Sequence, residues 1–268
     1  MQQLPTVTKP SYMIASVDHA LKLLQILRDN GRLGLTQAAS ELGVSPSTAH
    51  RMMAMLVYRG FAVQDMSRRY VAGPAMSVPP VAIPWAIELK DICRPHLELL
   101  ATRLEETANL MVRVGSKVRF LHSVEGQEVV RIGDRSGTVL DAYQASGGKA
   151  LLAEADQPTL ERLYRSKSAA LSGGHMDDQQ YSRFLRELSK VRKLGYAVNR
   201  EETEVGIHAI GLSLHQPSGR AFAAFSIAVP IFRSDRILSP TAIAILEEAR
   251  LEMEADIAAS GIAKTVDE

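Results

Sequence analysis

The stretch ELGVSPST, residues 41–48, constrains this chain more than any other. A glycine after a short apolar-periodic segment ends a helix, because glycine enters the left-handed region without steric cost. Ser45 followed by Pro46 starts another. The serine oxygen can cap the free N–H groups of a first turn, and proline is pre-shaped for the first helical position. Two helices joined by so few residues must cross, which is the helix-turn-helix arrangement. The flanks extend the pattern. SVDHALKLLQILRD, residues 16–29, carries Val17, Ala20, Leu21, Leu24 and Leu27 at helical spacing, with Ser16 as expected N-cap and Asn30-Gly31 as stop. Thr36 is expected to cap the short helix QAASEL, and the third helix, PSTAHRMMAMLVYRG, runs to Gly60. Residues 61–63 and 69–71 read as two short strands around the polar turn QDMSRR. Three helices followed by a two-stranded hairpin make a winged helix-turn-helix.

The chemistry of that unit suits double-stranded DNA. Ser45, Ser47 and Thr48 place short hydroxyls near a helix N-terminus, where phosphates are contacted, and His50 and Arg51 are long enough to reach base edges in the major groove. Arg68 and Arg69 at the wing tip can grip phosphate or minor groove, and Thr36 completes the candidate DNA-binding set. Met52, Met53, Met55, Leu56 and Val57 should include the face packed on the first two helices. Charge agrees: the chain is net +1, but residues through Pro74 carry eight basic against four acidic side chains. A basic N-terminal unit on a mildly acidic remainder fits a nucleic-acid reader attached to something else. The competing reading is a winged helix used as a protein–protein module.

GPAMSVPPVAIP, residues 73–84, holds four prolines and marks a boundary. A long helix is expected from about residue 85 to 106, kinked or broken at Pro95. Residues 109–114, 117–124 and 138–143 read as strands, and 149–155, 159–165 and 178–193 as helices. GIHAIGLSLH and RAFAAFSIAV read as adjacent antiparallel strands joined by QPSG, and Ser239-Pro240 starts a final helix to about residue 259. The class is α+β. The expected division is a winged helix-turn-helix at 12–74, a linker at 75–95 and a second domain at 96–262.

Several functions are excluded on spacing. QASGGKALLA, residues 144–153, resembles a phosphate loop, but Tyr143 stands at the first glycine position and Ala150 where Mg²⁺ needs a hydroxyl. A serine hydrolase elbow fails because Gly211-Leu212-Ser213-Leu214-His215 lacks the second glycine. His208 and His215, seven apart on an expected strand, should face opposite sides, which makes a poor metal pair. Cys93 is the only cysteine, so no intrachain disulfide exists, and His96 is expected on the surface. No cofactor or metal is expected. The N-terminus lacks the form of a secretory signal, and the most apolar stretch, residues 221–232, is too short to span a bilayer, so a cytoplasmic location is expected.

SVDHALKLLQIL, LTQAASELGVSPSTAHRMMAMLVYRGFAVQD, RRYVAGP, ASGGKALLA, LGYAVNREETEVGIHAIG and RAFAAFSIAVP, in this order and spacing, closely resemble the IclR family of bacterial transcriptional regulators. The resemblance covers about Ser16 to Gly261. It implies a winged helix, a linker helix and a GAF-like or profilin-like effector-binding domain. It also implies self-association as a dimer or dimer of dimers, and palindromic operator DNA near catabolic genes. By motif matching it places Ser146, Gly147, Asn199, Ala209, Ser226 and Ala228 at effector-contact positions, with Val129, Ile132, Leu140 and Ile207 as an apolar patch. The family frequently has an acid at the position of Asn199, a cysteine at Ala209 and a second serine at Ala228. Amide and methyl groups there imply a less polar pocket, suited to a larger carboxylate such as an aromatic acid. His208 and His122 could reach such a ligand, or be satisfied structural histidines. The small residues before Lys149 then read as an anion cradle at a helix N-terminus, with Lys149 facing solvent or a salt bridge. The alternative function is a small-molecule-binding enzyme carrying a regulatory winged helix.

Overall fold

The computed structural model describes residues 12–65, 67–77, 84–167, 169 and 174–262. Contacts divide the chain into two compact units, residues 1–79 and 80–268.

The first unit opens with α1 (Ala15–Asn30), β1 (Arg32–Leu33), α2 (Leu35–Leu42) and α3 (Pro46–Tyr58). Then come β2 (Ala62–Gln64), β3 (Tyr70–Ala72) and the single turn α4 (Pro74–Ser77). Gly43 takes φ +66° and closes α2, and the Ser45 side chain accepts from the Thr48 N–H at 3.3 Å, as the sequence requires. Two expected caps are corrected. Ile14 precedes α1 and Gly34 precedes α2, neither with a side-chain cap, so Ser16 and Thr36 fall inside their first turns. β1, which the sequence pattern did not indicate, pairs with β3 and makes the wing sheet three-stranded in the order β1-β3-β2. Two residues are too few to show alternation. The core holds Leu23 and Leu27 of α1, Ala38, Ala39 and Leu42 of α2, and Ala49, Met53 and Leu56 of α3. Met55 and Val57, expected in that face, are exposed.

The second unit begins with α5 (Pro84–Leu104), which continues through Pro95 without a break. β4 (Thr107–Val114), β5 (Lys117–Val124) and β6 (Val139–Asp141) follow, then α6 (Ser146–Ala153), α7 (Gln157–Tyr164) and α8 (Asp178–Leu194). β7 (Ala197–Arg200), β8 (Ile207–His215) and β9 (Ala221–Pro230) complete the strands. A 3₁₀ turn, α9 (Ser234–Ile237) and α10 (Pro240–Ser260) complete the described elements. The six strands form one antiparallel sheet in the order β6-β5-β4-β9-β8-β7. β7 is absent from the strands read in the sequence; its four residues are too few to show a clear alternation.

Strand alternation gives the sheet two apolar faces. Leu110, Val112, Ile210, Leu212, Leu214, Phe225 and Ile227 pack against Leu89, Cys93 and Leu97 of α5 and Leu246 and Met253 of α10. Met111, Val118, Phe120 and Ala224 pack against Leu151 and Leu152 of α6 and Leu188 of α8. Cys93 is fully buried, and burial pushes its thiol up to about 12, so it stays a neutral core group. His96 is corrected from a surface residue: its side chain is 14% exposed, and Nε2 lies 2.8 Å from Asp256 on α10.

Candidate DNA interface and ligand cavity

Helix α3 sorts its residues by period. Ala49, Met53 and Leu56 turn inward, which leaves Ser47, His50, Arg51, Ala54 and Tyr58 on one exposed face at i, i+3, i+4, i+7 and i+11. Among the described residues, neither His50 nor Arg51 has an ion-pair or hydrogen-bond partner. Ser45 is also exposed, but its oxygen lies within 3.0 Å of Ser47 Oγ and 2.9 Å of Thr48 Oγ1, so it serves first as a cap. Thr36 is exposed in the first turn of α2.

The wing tip is built by Asp65. Its Oδ1 accepts from Ser67 N–H at 2.8 Å, Ser67 Oγ–H at 2.6 Å and Arg69 N–H at 3.0 Å. These bonds, with the Ser67 hydroxyl foremost, hold the Asp65 carboxyl below its ordinary pKa. The tight turn puts Arg68 at φ +59°, an unusual conformation for a side-chain-bearing residue. Arg68 and Arg69 project outward, exposed.

The second unit contains a narrow cavity between the α6 face of the sheet, the α6 N-terminus and residues 199–207. Asn109, Met111, Phe120, Arg135, Leu140, Ala145, Ser146, Asn199, Thr203, Ile207, Ala209, Ser226 and Ala228 line it. The room inside it is about 20 Å³, enough for a single water. Six of the expected positions therefore converge: Leu140, Ser146, Asn199, Ala209, Ser226 and Ala228, with Ile207 as a seventh. Ile132 joins their apolar edge, packed with Ala209 and Ala228.

Other expected positions lie elsewhere. Val129 is 92% exposed and does not line the cavity. Gly147 turns to the sheet: a Cβ there would stand 2.5 Å from Met111 Sδ. A Cβ on Gly148 would stand 2.3 Å from the Ala142 carbonyl, and one on Gly211 2.5 Å from the Gly147 nitrogen. The glycines thus let α6 lie directly on the sheet. His208 alternates with Ile207 and Ala209, so it faces the α5/α10 layer and misses the cavity. His122 pairs with Leu110, which faces the same layer, and burial with Lys90 and Arg94 nearby lowers its pKa.

Of the two expected settings for Lys149, solvent or a salt bridge, the salt bridge is the one found. Lys149 is 1% exposed, and Nζ donates to Glu187 and Glu202, each at 2.5 Å, and to the Val198 carbonyl at 3.1 Å. The same turn fixes Asn199: its Nδ2 donates to the Gln144 carbonyl at 3.0 Å and Thr203 Oγ1 at 2.8 Å. A wider open groove of about 400 Å³ lies beside it, lined by Tyr143, His175, Arg183 and Glu202 among others. None of the groove's lining residues leaves a buried polar atom unpartnered. The narrow cavity does: Asn109 is fully buried and its Nδ2 has no partner among the described residues. Sequence reasoning missed Asn109, Arg135 and Thr203, because nothing in their local pattern marks them. No group of three metal-binding side chains occurs among the described residues.

Comparison with known proteins bears on both units. Residues 16–66 match the IclR helix-turn-helix domain, and residues 85–254 match the C-terminal domain of IclR bacterial transcriptional regulators. The chain is 33% identical over 241 residues to the HTH-type transcriptional regulator BhcR of Paracoccus denitrificans, covering 88% of this chain and 85% of that protein. It is 26% identical over 250 residues to the Pca operon regulatory protein of Acinetobacter baylyi, covering 90% and 88%. An IclR homologue from Microbacterium hydrocarbonoxydans, solved in complex with 4-hydroxybenzoate, shares the fold with TM-score 0.56 and 21% identity, covering 91% and 98%.

Proposed function

The chain belongs to the IclR family of bacterial DNA-binding transcriptional regulators, and from that premise we propose a ligand-responsive regulator of catabolic genes. A small carboxylate bound in the cavity of the second unit sets its affinity for operator DNA or its activity there. One observation carries the reading: the same chain presents an exposed polar and cationic face on α3 and holds a narrow cavity with apolar walls and a few buried polar side chains. His50 and Arg51 read base edges. Ser47, Thr48, Thr36 and the wing arginines Arg68 and Arg69 hold phosphates, with Ser45 shaping the helix start.

The protein acts in the cytoplasm as a dimer or dimer of dimers on a two-fold symmetric operator. A second copy has a surface to use. Ile14, just before α1, and Val17 and Leu21 on it are exposed apolar side chains at i, i+3 and i+7. An aromatic acid suits the cavity, because Met111, Phe120, Leu140, Ile207, Ala209 and Ala228 supply its apolar walls. The 4-hydroxybenzoate bound by the Microbacterium homologue is of that class. The described cavity has room for little more than water, so a ring must widen it.

Two measurements test this. Binding to DNA upstream of the protein's own gene should fall steeply with salt while keeping its sequence preference. Operator binding indifferent to every acid tried would remove the ligand from the mechanism. A thermal-shift screen should find aromatic acids among the stabilising ligands; stabilisation by glyoxylate-like acids alone would overturn the aromatic assignment.

A further inference from the structure

Two donor-bearing side chains of the cavity lining, Asn109 and Arg135, belong to residues joined through Ser123. Arg135 donates its backbone N–H to Ser123 Oγ at 3.0 Å, and Ser123 Oγ–H donates to Asn109 Oδ1 at 2.6 Å. This chain fixes the Asn109 amide with its oxygen occupied. Its NH₂ group, buried and unpartnered among the described residues, belongs to the cavity lining. A buried donor left without an acceptor is costly, and such groups mark where a ligand atom belongs.

Arg135 is the one arginine or lysine among the lining residues. Its side chain is 16% exposed, and Nη2 lies 2.7 Å from Glu204 Oε2. Glu204 itself is 58% exposed and sits in the turn that joins β7 to β8. Thr203, the preceding residue, lines the cavity and accepts from Asn199. The turn therefore carries a carboxylate on a short tether to the cavity's cation. Ion pairs with one partner in solvent are weak, so this one is readily exchanged.

We propose that Asn109 and Arg135 form the carboxylate anchor of this cavity, and that Glu204 is an internal carboxylate which the effector displaces. The inference rests on the effector reading of the cavity and adds to it the ligand's charge and the groups that read it. Amide NH₂ and guanidinium are donors only, so their joint complement is an acceptor-only group. Displacement releases the turn at residue 204, while Glu202 in the same turn stays bound to Lys149. Ligand occupancy is thereby coupled to the position of that turn.

The test uses the full-length protein, isothermal titration, and three probes: 4-hydroxybenzoate, its neutral amide 4-hydroxybenzamide, and glyoxylate. At least one acid should bind the wild type, with the amide weaker than 4-hydroxybenzoate. Arg135→Met should weaken the acid by about ten- to a hundredfold, the weight of a charge-assisted hydrogen bond, and abolish the preference for acid over amide. Glu204→Gln should tighten acid binding several-fold, because the competitor is gone, and leave the amide unchanged. A structural role alone would lower the melting temperature without moving the acid-to-amide ratio. Acid affinity unchanged or weakened by Glu204→Gln, or equal binding of acid and amide, would overturn the inference while leaving the effector reading intact. Failure of both acids to bind the wild type would overturn that reading and the inference with it.

Discussion

Helices α3 and α6 begin alike, each just after a serine- or alanine-containing turn, and each supplies candidate functional residues. They spend those residues in opposite ways. α3 buries only Ala49, Met53 and Leu56 and leaves its polar face in solvent. All eight residues of α6 are buried, including Lys149. A residue on the first helix acquires a partner only when another molecule arrives. A residue on the second already holds its neighbours in place. Loss of function should therefore separate from loss of stability in the first unit and accompany it in the second.

The largest effect is expected from Lys149→Met. The ammonium is surrounded by two carboxylates and a backbone carbonyl, and removing it sets Glu187 and Glu202 against each other. Breaking a buried ion pair costs about 3–5 kcal/mol. The carboxylates are partly exposed, so the lower end applies. Trp85 is the only tryptophan and packs against Phe222 in the second unit, so its fluorescence during urea unfolding reports on this unit. A Trp85 transition unmoved by the substitution would break the comparison, because α6 would then be no more structural than α3.

Arg51→Ala sharpens it from the other side. Operator affinity should fall by about 1–3 kcal/mol with relaxed sequence preference, as for a base-contacting arginine. Unfolding of the first unit, followed by hydrogen exchange of the α1–α3 amides, should stay within about 0.5 kcal/mol of wild type, as for an exposed substitution. Affinity measured by fluorescence anisotropy on wild-type and base-substituted operators checks both. Uniform weakening across all sequences would reassign Arg51 to phosphate.

The same contrast explains what the sequence made legible. Exposed function follows local rules: Gly43, the Ser45-Pro46 start and the helical period are enough to place His50 and Arg51. The expected caps Ser16 and Thr36 failed because Ile14 and Gly34 already stand in extended conformation one residue before each helix. The buried cavity depends on contacts between segments far apart in the chain. Ser146, Asn199 and Ser226 were reachable only through motif resemblance. Asn109 and Arg135 depend on the β4–β5 pairing and on a hydrogen-bond chain through Ser123, which no periodicity reports. Gly147 misled for a related reason. A small residue beside a ligand loop and one admitting a helix to a sheet look the same in sequence, and only the 2.5 Å approach to Met111 separates them.

A smaller effect is expected at the wing. Arg68 holds φ +59°, and a left-handed conformation costs an L-residue about 1–2 kcal/mol. Arg68→Gly should leave the first unit as stable as wild type or up to about 1 kcal/mol more stable. Yet the salt slope of operator binding should fall by about one unit, as when a single phosphate-binding cation is removed. Arg68→Ala should remove the charge without relieving the backbone. If glycine restored DNA binding to the wild-type level, the wing would act through its shape and not its charge.

The smallest effect is a pH dependence confined to the second unit. His215 Nδ1 lies 2.7 Å from Glu254 Oε1 and Nε2 lies 3.3 Å from Glu154 Oε1, so both ring nitrogens face carboxylates. The hydrogen bond to Glu254, against partial burial, raises the histidine above its ordinary 6.5. Burial pulls Glu254 upward, but the His215 ring and backbone N–H and the nearby Arg250 outweigh it and hold the carboxyl below 4.5. The signs then follow from linkage. The charged histidine stabilises the fold fully below 6.5, and this is lost as pH rises through its raised folded value. The glutamate contributes above 4.5, and this is lost as pH falls through its depressed folded value. The urea midpoint read by Trp85 should therefore be highest in the mildly acidic range between these limits and decline on both sides. His215→Asn should flatten the alkaline decline, while operator-contact variants such as Arg51→Ala should leave the profile unchanged. An alkaline decline that survives His215→Asn would place the titrating group elsewhere in the unit.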